Sequence, residues 1–175
     1  MTAEQLLSTA RPSFALDATR GDVAAEMSAH DVKLLPVVDY DSDLFVGMVR
    51  ADQVSDEAEA YETLEDLAEG KQLSILQVQP TDHLYEVVGK MHELRQFLLP
   101  VVDAEGHLLG TVGPRELMEA WEQVAATDED ASVIVLGMER SGYSLAEISS
   151  IVEWEHGRVL ALFIEATPGE ESIKV

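Results

Sequence analysis

Leu34-Leu35-Pro36-Val37-Val38-Asp39 recurs 64 positions later as Leu98-Leu99-Pro100-Val101-Val102-Asp103, six identities in succession. Self-similarity at a fixed spacing marks a duplicated structural unit, so this stretch decides the architecture before any single element is considered. The same shift superposes Val23 on Val87 and Met27 on Met91 upstream, and Leu44 on Leu108 downstream. After a one-residue deletion it superposes Gly47 on Gly110 and Val49 on Val112. The unit is about 45 residues long, within the range of structural repeats.

In the second copy Leu84, Val87, Val88, Met91 and Leu94 fall at helical spacing and define one apolar face. Residues 97–102 form a short Leu- and Val-rich strand, Ala104-Glu105-Gly106 a turn and residues 107–112 a second strand. Pro114 after Gly113 begins a helix, because proline suits the first helical position. The unit thus reads strand, helix, strand, strand, helix. Between the copies, Asp52 to Glu69 holds eight acids and no base, with Val54, Ala58, Tyr61, Leu64 and Leu67 as its sizeable apolar content. It reads as a solvated helical connection. Residues 126–130 read as a linker. Beyond them Ser132 to Met138 is β-forming, and Ser144-Leu-Ala-Glu147 fits a capping box with Leu145, Ile148, Ile151 and Val152 on one helical face closed by Gly157. A strand over Val159 to Ala166, a turn at Thr167-Pro-Gly and the start of a third strand at Ser172 to Val175 complete a β-α-β-β order.

The 175-residue chain is 46% hydrophobic and carries 34 Asp plus Glu against 11 Lys plus Arg, a formal charge of −23, with no cysteine. The apolar fraction suits a folded core. Lacking cysteine, the chain has no disulfide framework, thiolate metal site or cysteine nucleophile. The scarcity of clustered cations excludes DNA, RNA and anionic membrane surfaces as expected partners. No apolar signal region or stretch of 18 apolar residues is present, so the expected location is cytoplasmic. A diffuse acidic excess in which seven Arg outnumber four Lys suits a salt-rich, halophilic cytoplasm, where screening removes the self-repulsion.

Paired units with a strand ending in Leu-Pro-Val-Val-Asp, a short turn and a Leu-x-Gly-x-Val strand running into a helix resemble tandem CBS domains. The resemblance spans roughly residues 10–125. It implies an α+β pair of β-α-β-β-α units with pseudo-twofold symmetry over 1–126, repeat one at about 10–58 and repeat two at about 74–125. Residues 131–175 look like the first part of an ACT-like domain, and the combination is similar to acetoin-utilisation-type CBS proteins. The remaining helix and strand of such a domain are expected from a longer chain, or else from a partner. The family resemblance further implies a non-catalytic regulatory module, a face-to-face homodimer, an unidentified regulated protein, and two clefts that take adenine nucleotides or adenosyl ligands such as AMP, ATP or S-adenosylmethionine. A CBS scaffold that has lost its ligand is the alternative.

In such clefts the ribose and phosphates are held by a Gly-h-h-Thr-x-x-Asp segment (h, apolar). Both copies depart from it: after Gly47 the Thr and Asp positions hold Arg50 and Gln53, and after Gly110 they hold Gly113 and Glu116. The resemblance places Glu116 at the ribose and Arg115 or Arg50 at a phosphate, which makes the second copy the better candidate. Against this stands a solvated first helical turn in which an acid complements the helix dipole. The implied apolar walls are Leu35 and Pro36 in the first unit, Leu99 and Pro100 in the second. Leu16-Asp17 and Gln79-Pro80 are the segments leading in.

Other constellations carry less. Asp39, Asp41 and Asp43 alternate as in a calcium loop, but Leu44 and Arg50 stand where its glycine and closing glutamate are needed, so a hairpin turn is expected. His30, His83, His92, His107 and His156 lack metal-site spacing, and Ser141 lacks a nucleophile elbow. Met27, Met91 and Met118 are expected in the core, and Trp121 and Trp154 as satellites of their local cores.

Overall fold

A computed structural model describes residues 1–55, 59–125, 132–167, 169 and 171–175. A short helix α1 (Ala3–Leu6) precedes the first repeat, which runs β1 (Phe14–Ala15), α2 (Arg20–Ala29), β2 (Leu34–Asp39) and β3 (Leu44–Arg50). The connection carries α3 (Leu64–Glu69). The second repeat follows as α4 (Leu84–Leu94), β4 (Leu99–Val102), β5 (Leu108–Val112) and α5 (Pro114–Ala125). The remainder forms β6 (Gly137–Glu139), α6 (Leu145–Trp154), β7 (Glu165–Ala166) and β8 (Ser172–Lys174). Two compact units result, Met1–Met118 and Glu119–Val175. The proposed linker at 126–130, Ala58 of the connection and Pro168 of the turn lie outside the described residues.

The hexapeptide becomes β2 and β4, buried because it lies inside a sheet and beneath helices. β1 pairs with β2 in parallel, Phe14 opposite Val37, and 64 residues later Val78 bridges Val101 in parallel. β3 and β5 close the sheets antiparallel, each with a bulge, between Val37 and Val38 and between Val101 and Val102. Helices α2 and α4 end alike. Asp31 (φ 49°) and Arg95 (φ 52°) take the left-handed conformation, and the next N–H returns to a methionine carbonyl: Val32 to Met27 at 3.0 Å, Gln96 to Met91 at 3.1 Å. The register corrects one detail of the alignment. Val38 faces Phe45 and Val102 faces Leu108, so Phe45, not Leu44, is the counterpart of Leu108. The one-residue difference lies in the hairpin turn. That turn is organised by Asp39, whose carboxylate accepts from Asp41 N–H at 3.0 Å and from the Ser42 hydroxyl at 2.7 Å.

The connection departs most from expectation. Instead of one solvated helix, Ala51–Gln53 make a 3₁₀ turn and α3 buries Leu64 and Leu67 in the first repeat's core beside Val23, Leu35, Val37, Val49 and Val54. Arg20 holds the preceding turn through ion pairs with Glu59 and Glu62. The N-terminus does the same for the second repeat. Leu64 and Glu65 N–H donate to the carbonyls of Ala18 and Leu16, both at 3.0 Å; Ala3 and Glu4 N–H donate to those of Asp82 (2.8 Å) and Pro80 (3.0 Å). Thr63-Leu-Glu-Asp-Leu67 and Thr2-Ala-Glu-Gln-Leu6 are therefore equivalent segments. Each continues into a strap: Ser74 exchanges backbone hydrogen bonds with Met48, and Ser8 with Thr111.

This strap explains the repeated glycine. A Cβ on Gly47 would lie 2.7 Å from Leu73 Cβ, and one on Gly110 would lie 2.8 Å from Ser8 O, so only glycine lets the strap approach. Gly110→Ala is expected to destabilise unit 1 by about 1–3 kcal/mol through backbone displacement. Urea unfolding checks this, and a loss below about 0.5 kcal/mol would contradict the close approach.

Several apolar assignments change. Val88 (45% exposed) and Met118 (68%) face outward, while Met27 and Met91 are buried as expected. In unit 2 the sheet order is β6-β8-β7, antiparallel throughout, with Ile173 buried on the central strand. Its strands are shorter than the β-propensity suggests: residues 132–136 and 157–164 lie outside the strands, although Leu136 exchanges backbone hydrogen bonds with Val175 beside β6. Ser144 caps α6 as expected, accepting from Glu147 N–H at 3.3 Å. Leu145 and Ile151 are exposed, as is Trp154, and Trp121 stacks on Phe163 at 5.1 Å while remaining 45% exposed. Neither tryptophan is a core satellite.

Candidate functional site

Strap residues 9–12 run beside the C-terminal turn of α2 and leave a pocket of about 440 Å³, lined by Arg11, Glu26, His30, Val32 and Leu35 among others. That volume falls in the roughly 300–1,000 Å³ range of small-molecule sites. Leu35 backs the pocket from within the core, where it has no exposed surface. His30 Nε2 lies 3.2 Å from Glu26 Oε1 at the rim.

Arg11 ties this pocket to the second repeat. Its Nη1 and Nη2 donate to Glu116 Oε1 and Oε2, both at 3.1 Å, and Nη1 also donates to Thr111 Oγ1 at 3.2 Å. Glu116 is only 9% exposed and further accepts the Gly113 N–H at 2.8 Å, which caps the start of α5. Burial pushes the Glu116 carboxyl up, but the Arg11 hydrogen bonds and the Gly113 N–H outweigh it and hold the group below the usual carboxylate range. Gly113 makes room for this arrangement. A Cβ there would stand 3.1 Å from Arg11 Nη2 and 3.1 Å from Glu116 Oε2. The two departures of the second copy from the Thr-x-x-Asp pattern are thus one structural change, a glycine that admits a guanidinium and a longer acid that meets it.

The first copy is closed in its own way. Arg50 pairs with Asp52, Nε to Oδ1 at 2.9 Å and Nη2 to Oδ2 at 3.2 Å. Gln53 accepts the Arg50 N–H at 2.8 Å and donates to the Gln72 carbonyl at 2.8 Å. Arg50 and Gln53 therefore repeat the cap geometry of Gly113 and Glu116. Leu16 packs against the first core and its carbonyl is taken by Glu65; Asp17 is exposed. Pro36, Leu99 and Pro100 are buried in β2 and β4. Gln79 is exposed with its N–H bound to Asp82, the Pro80 carbonyl accepts from Glu4, and Arg115 is exposed on α5. The structure brings together Gly113, Glu116 and, through Arg11, Leu35, so the site joins repeat two to repeat one and does not lie within either. Sequence reasoning missed Arg11. The one signal the sequence holds is that it is the only basic side chain among residues 1–19.

Residues 72–123 match the family profile described as CBS domain. Among solved structures, the chain resembles a CBS domain pair/ACT domain protein from Thermotoga maritima (20% identity, 69% of this chain and 95% of that one, TM-score 0.57). It also resembles CBSX2, solved in complex with AMP (20% identity, 71% and 98%, TM-score 0.60). The fold is a CBS domain pair. A third similar structure is the CBS domain pair of protein MJ0100, solved with 5′-methylthioadenosine and S-adenosyl-L-methionine (18% identity, 69% and 95%, TM-score 0.55). No curated protein matches the chain. The CBS pair here differs from the family pattern at the positions just described, with Arg11 seated on the acid at the start of α5. Among the described residues, no helix is long and apolar enough to cross a membrane.

Proposed function

We propose that the CBS pair is a non-catalytic regulatory module that takes an adenine nucleotide or adenosyl compound in the cleft between its repeats and acts as a homodimer on a partner protein. The pocket lined by Arg11, whose guanidinium also holds the acid at the start of α5, supports this reading most directly. The ligands of CBSX2 and MJ0100 point to the same chemical class. Thermal unfolding with AMP, ATP or S-adenosylmethionine tests it. A ligand at a hundred times its Kd should stabilise the pair by about 2.7 kcal/mol. Silence for all three, with an intact dimer by light scattering, supports the ligand-free scaffold instead. That second reading draws on the internal pairing of both Gln53 and Glu116.

Residues 131–175 are part of the same proposal as an ACT-like segment, supported by the order β6, α6, β7, β8. The acidic surface is assigned to a salt-rich cytoplasm. Melting temperature should rise from dilute buffer to molar KCl as the repulsion within a chain of charge −23 is screened; a flat or falling curve removes this assignment.

A further inference from the structure

We infer that Arg11 is the cleft's internal ligand, and that a molecule enters only by exchanging partners with it: an anionic group takes the guanidinium while a pair of hydrogen-bond donors takes Glu116. The inference rests on the reading of the cleft as a nucleotide site and specifies how that site selects.

Its basis is the completeness of the pairing. Both carboxylate oxygens of Glu116 are occupied by the two ends of one guanidinium, and Oε2 also receives the Gly113 N–H. Arg11 is 23% exposed and Glu116 9%, so separating them without replacing both partners strands charge in a poorly solvated place. The surroundings fix the pair from three sides. Thr111, 2% exposed, holds Nη1 at 3.2 Å; the absence of a side chain at Gly113 leaves the slot that Nη2 fills; Ser8, three residues before Arg11, is bound to Thr111 through both backbone groups. Arg11 also lines the pocket, so its side chain touches both the open volume and the acid.

Three ligand chemistries are then distinguished. A nucleoside offers the cis-diol donors that suit Glu116 but leaves Arg11 unpaired. Inorganic phosphate pairs with Arg11 but leaves Glu116 buried and alone. A nucleoside 5′-phosphate replaces both partners at once. No bond is made or broken in the exchange, and the net charge of the site falls by the charge of the phosphate.

Calorimetric titration of the full chain with AMP, adenosine and inorganic phosphate tests the inference. The wild type should bind AMP about a hundredfold more tightly than either fragment, the factor expected when one member of a buried charge pair is stranded. In Arg11→Gln/Glu116→Gln, a neutral pair that retains hydrogen bonding, AMP and adenosine should bind within about threefold of each other, since no charge pair has to be parted. Wild-type adenosine binding within about threefold of AMP overturns the inference whatever the variant does. So does a hundredfold preference for AMP that persists in the double variant, which would place the phosphate on other groups. Absence of binding by all three compounds to both proteins removes the nucleotide reading itself, and the exchange with it.

Discussion

Glu116→Ala is expected to destabilise the CBS pair by about 3 kcal/mol, near the lower end of what removal of one partner from a buried ion pair costs. The lower end applies because Arg11 keeps 23% exposure and regains some solvent. Three contributions disappear together: the two guanidinium hydrogen bonds, the charge that balances Arg11, and the acceptor that caps the first turn of α5 through Gly113. In a chain of 175 residues this corresponds to a fall in melting temperature of about 10 °C. The effect depends on pH with a definite sign. Because the folded carboxyl titrates below its unfolded value, its stabilisation is complete above the ordinary carboxylate pKa of about 4.3 and is lost as pH falls through the folded value. The difference between wild type and Glu116→Ala in urea should therefore be constant near neutrality and shrink in acid. A loss below about 1 kcal/mol at pH 7 would show that the pair is solvated.

Leu64→Ala should cost about 3 kcal/mol, within the roughly 2–5 kcal/mol found for leucine truncation in packed cores. Leu64 has no exposed surface and packs with Val23, Leu35 and Leu67. Three residues away, Tyr61 is 93% exposed, and Tyr61→Ala should change stability by less than about 0.5 kcal/mol. The contrast separates two accounts of the connection. A solvated helix predicts small and similar effects at both positions, whereas a strap that completes the first core predicts a large one at Leu64 alone. Equal, small losses in urea unfolding would return the segment to the surface.

The fold was legible where the sequence constrains neighbours along the chain. The hexapeptide located β2 and β4, the 64-residue shift carried over even to the bulges, and Pro114 marked the start of α5. The connection was misread because eight acids dominate its composition while its two decisive residues, Leu64 and Leu67, lie only three apart. So short an apolar face resembles a solvated helix until a partner surface is known. The β-forming stretches at 132–138 and 159–166 gave strands only at their C-terminal ends, because propensity describes fitness for a pleated surface and pairing needs a neighbouring edge.

The candidate site shows the same division. Glu116 and Gly113 could be located from the repeat register, since both sit at fixed distances from Gly110. Their chemistry could not. Arg11 is 105 residues from Glu116, and no local period links them; only the strap, drawn onto β5 by Ser8 and admitted by Gly110, brings the guanidinium to the acid. The sequence by itself determined the duplication, the strand–turn–strand core of each copy and the acidic character of the surface, all of which follow from local pattern and composition. Tertiary structure alone decided that the segment preceding each repeat serves the other one and that the acid at the start of α5 is already paired. Both depend on contacts between distant parts of the chain, where burial and charge pairing act through space and leave no period in the sequence to read.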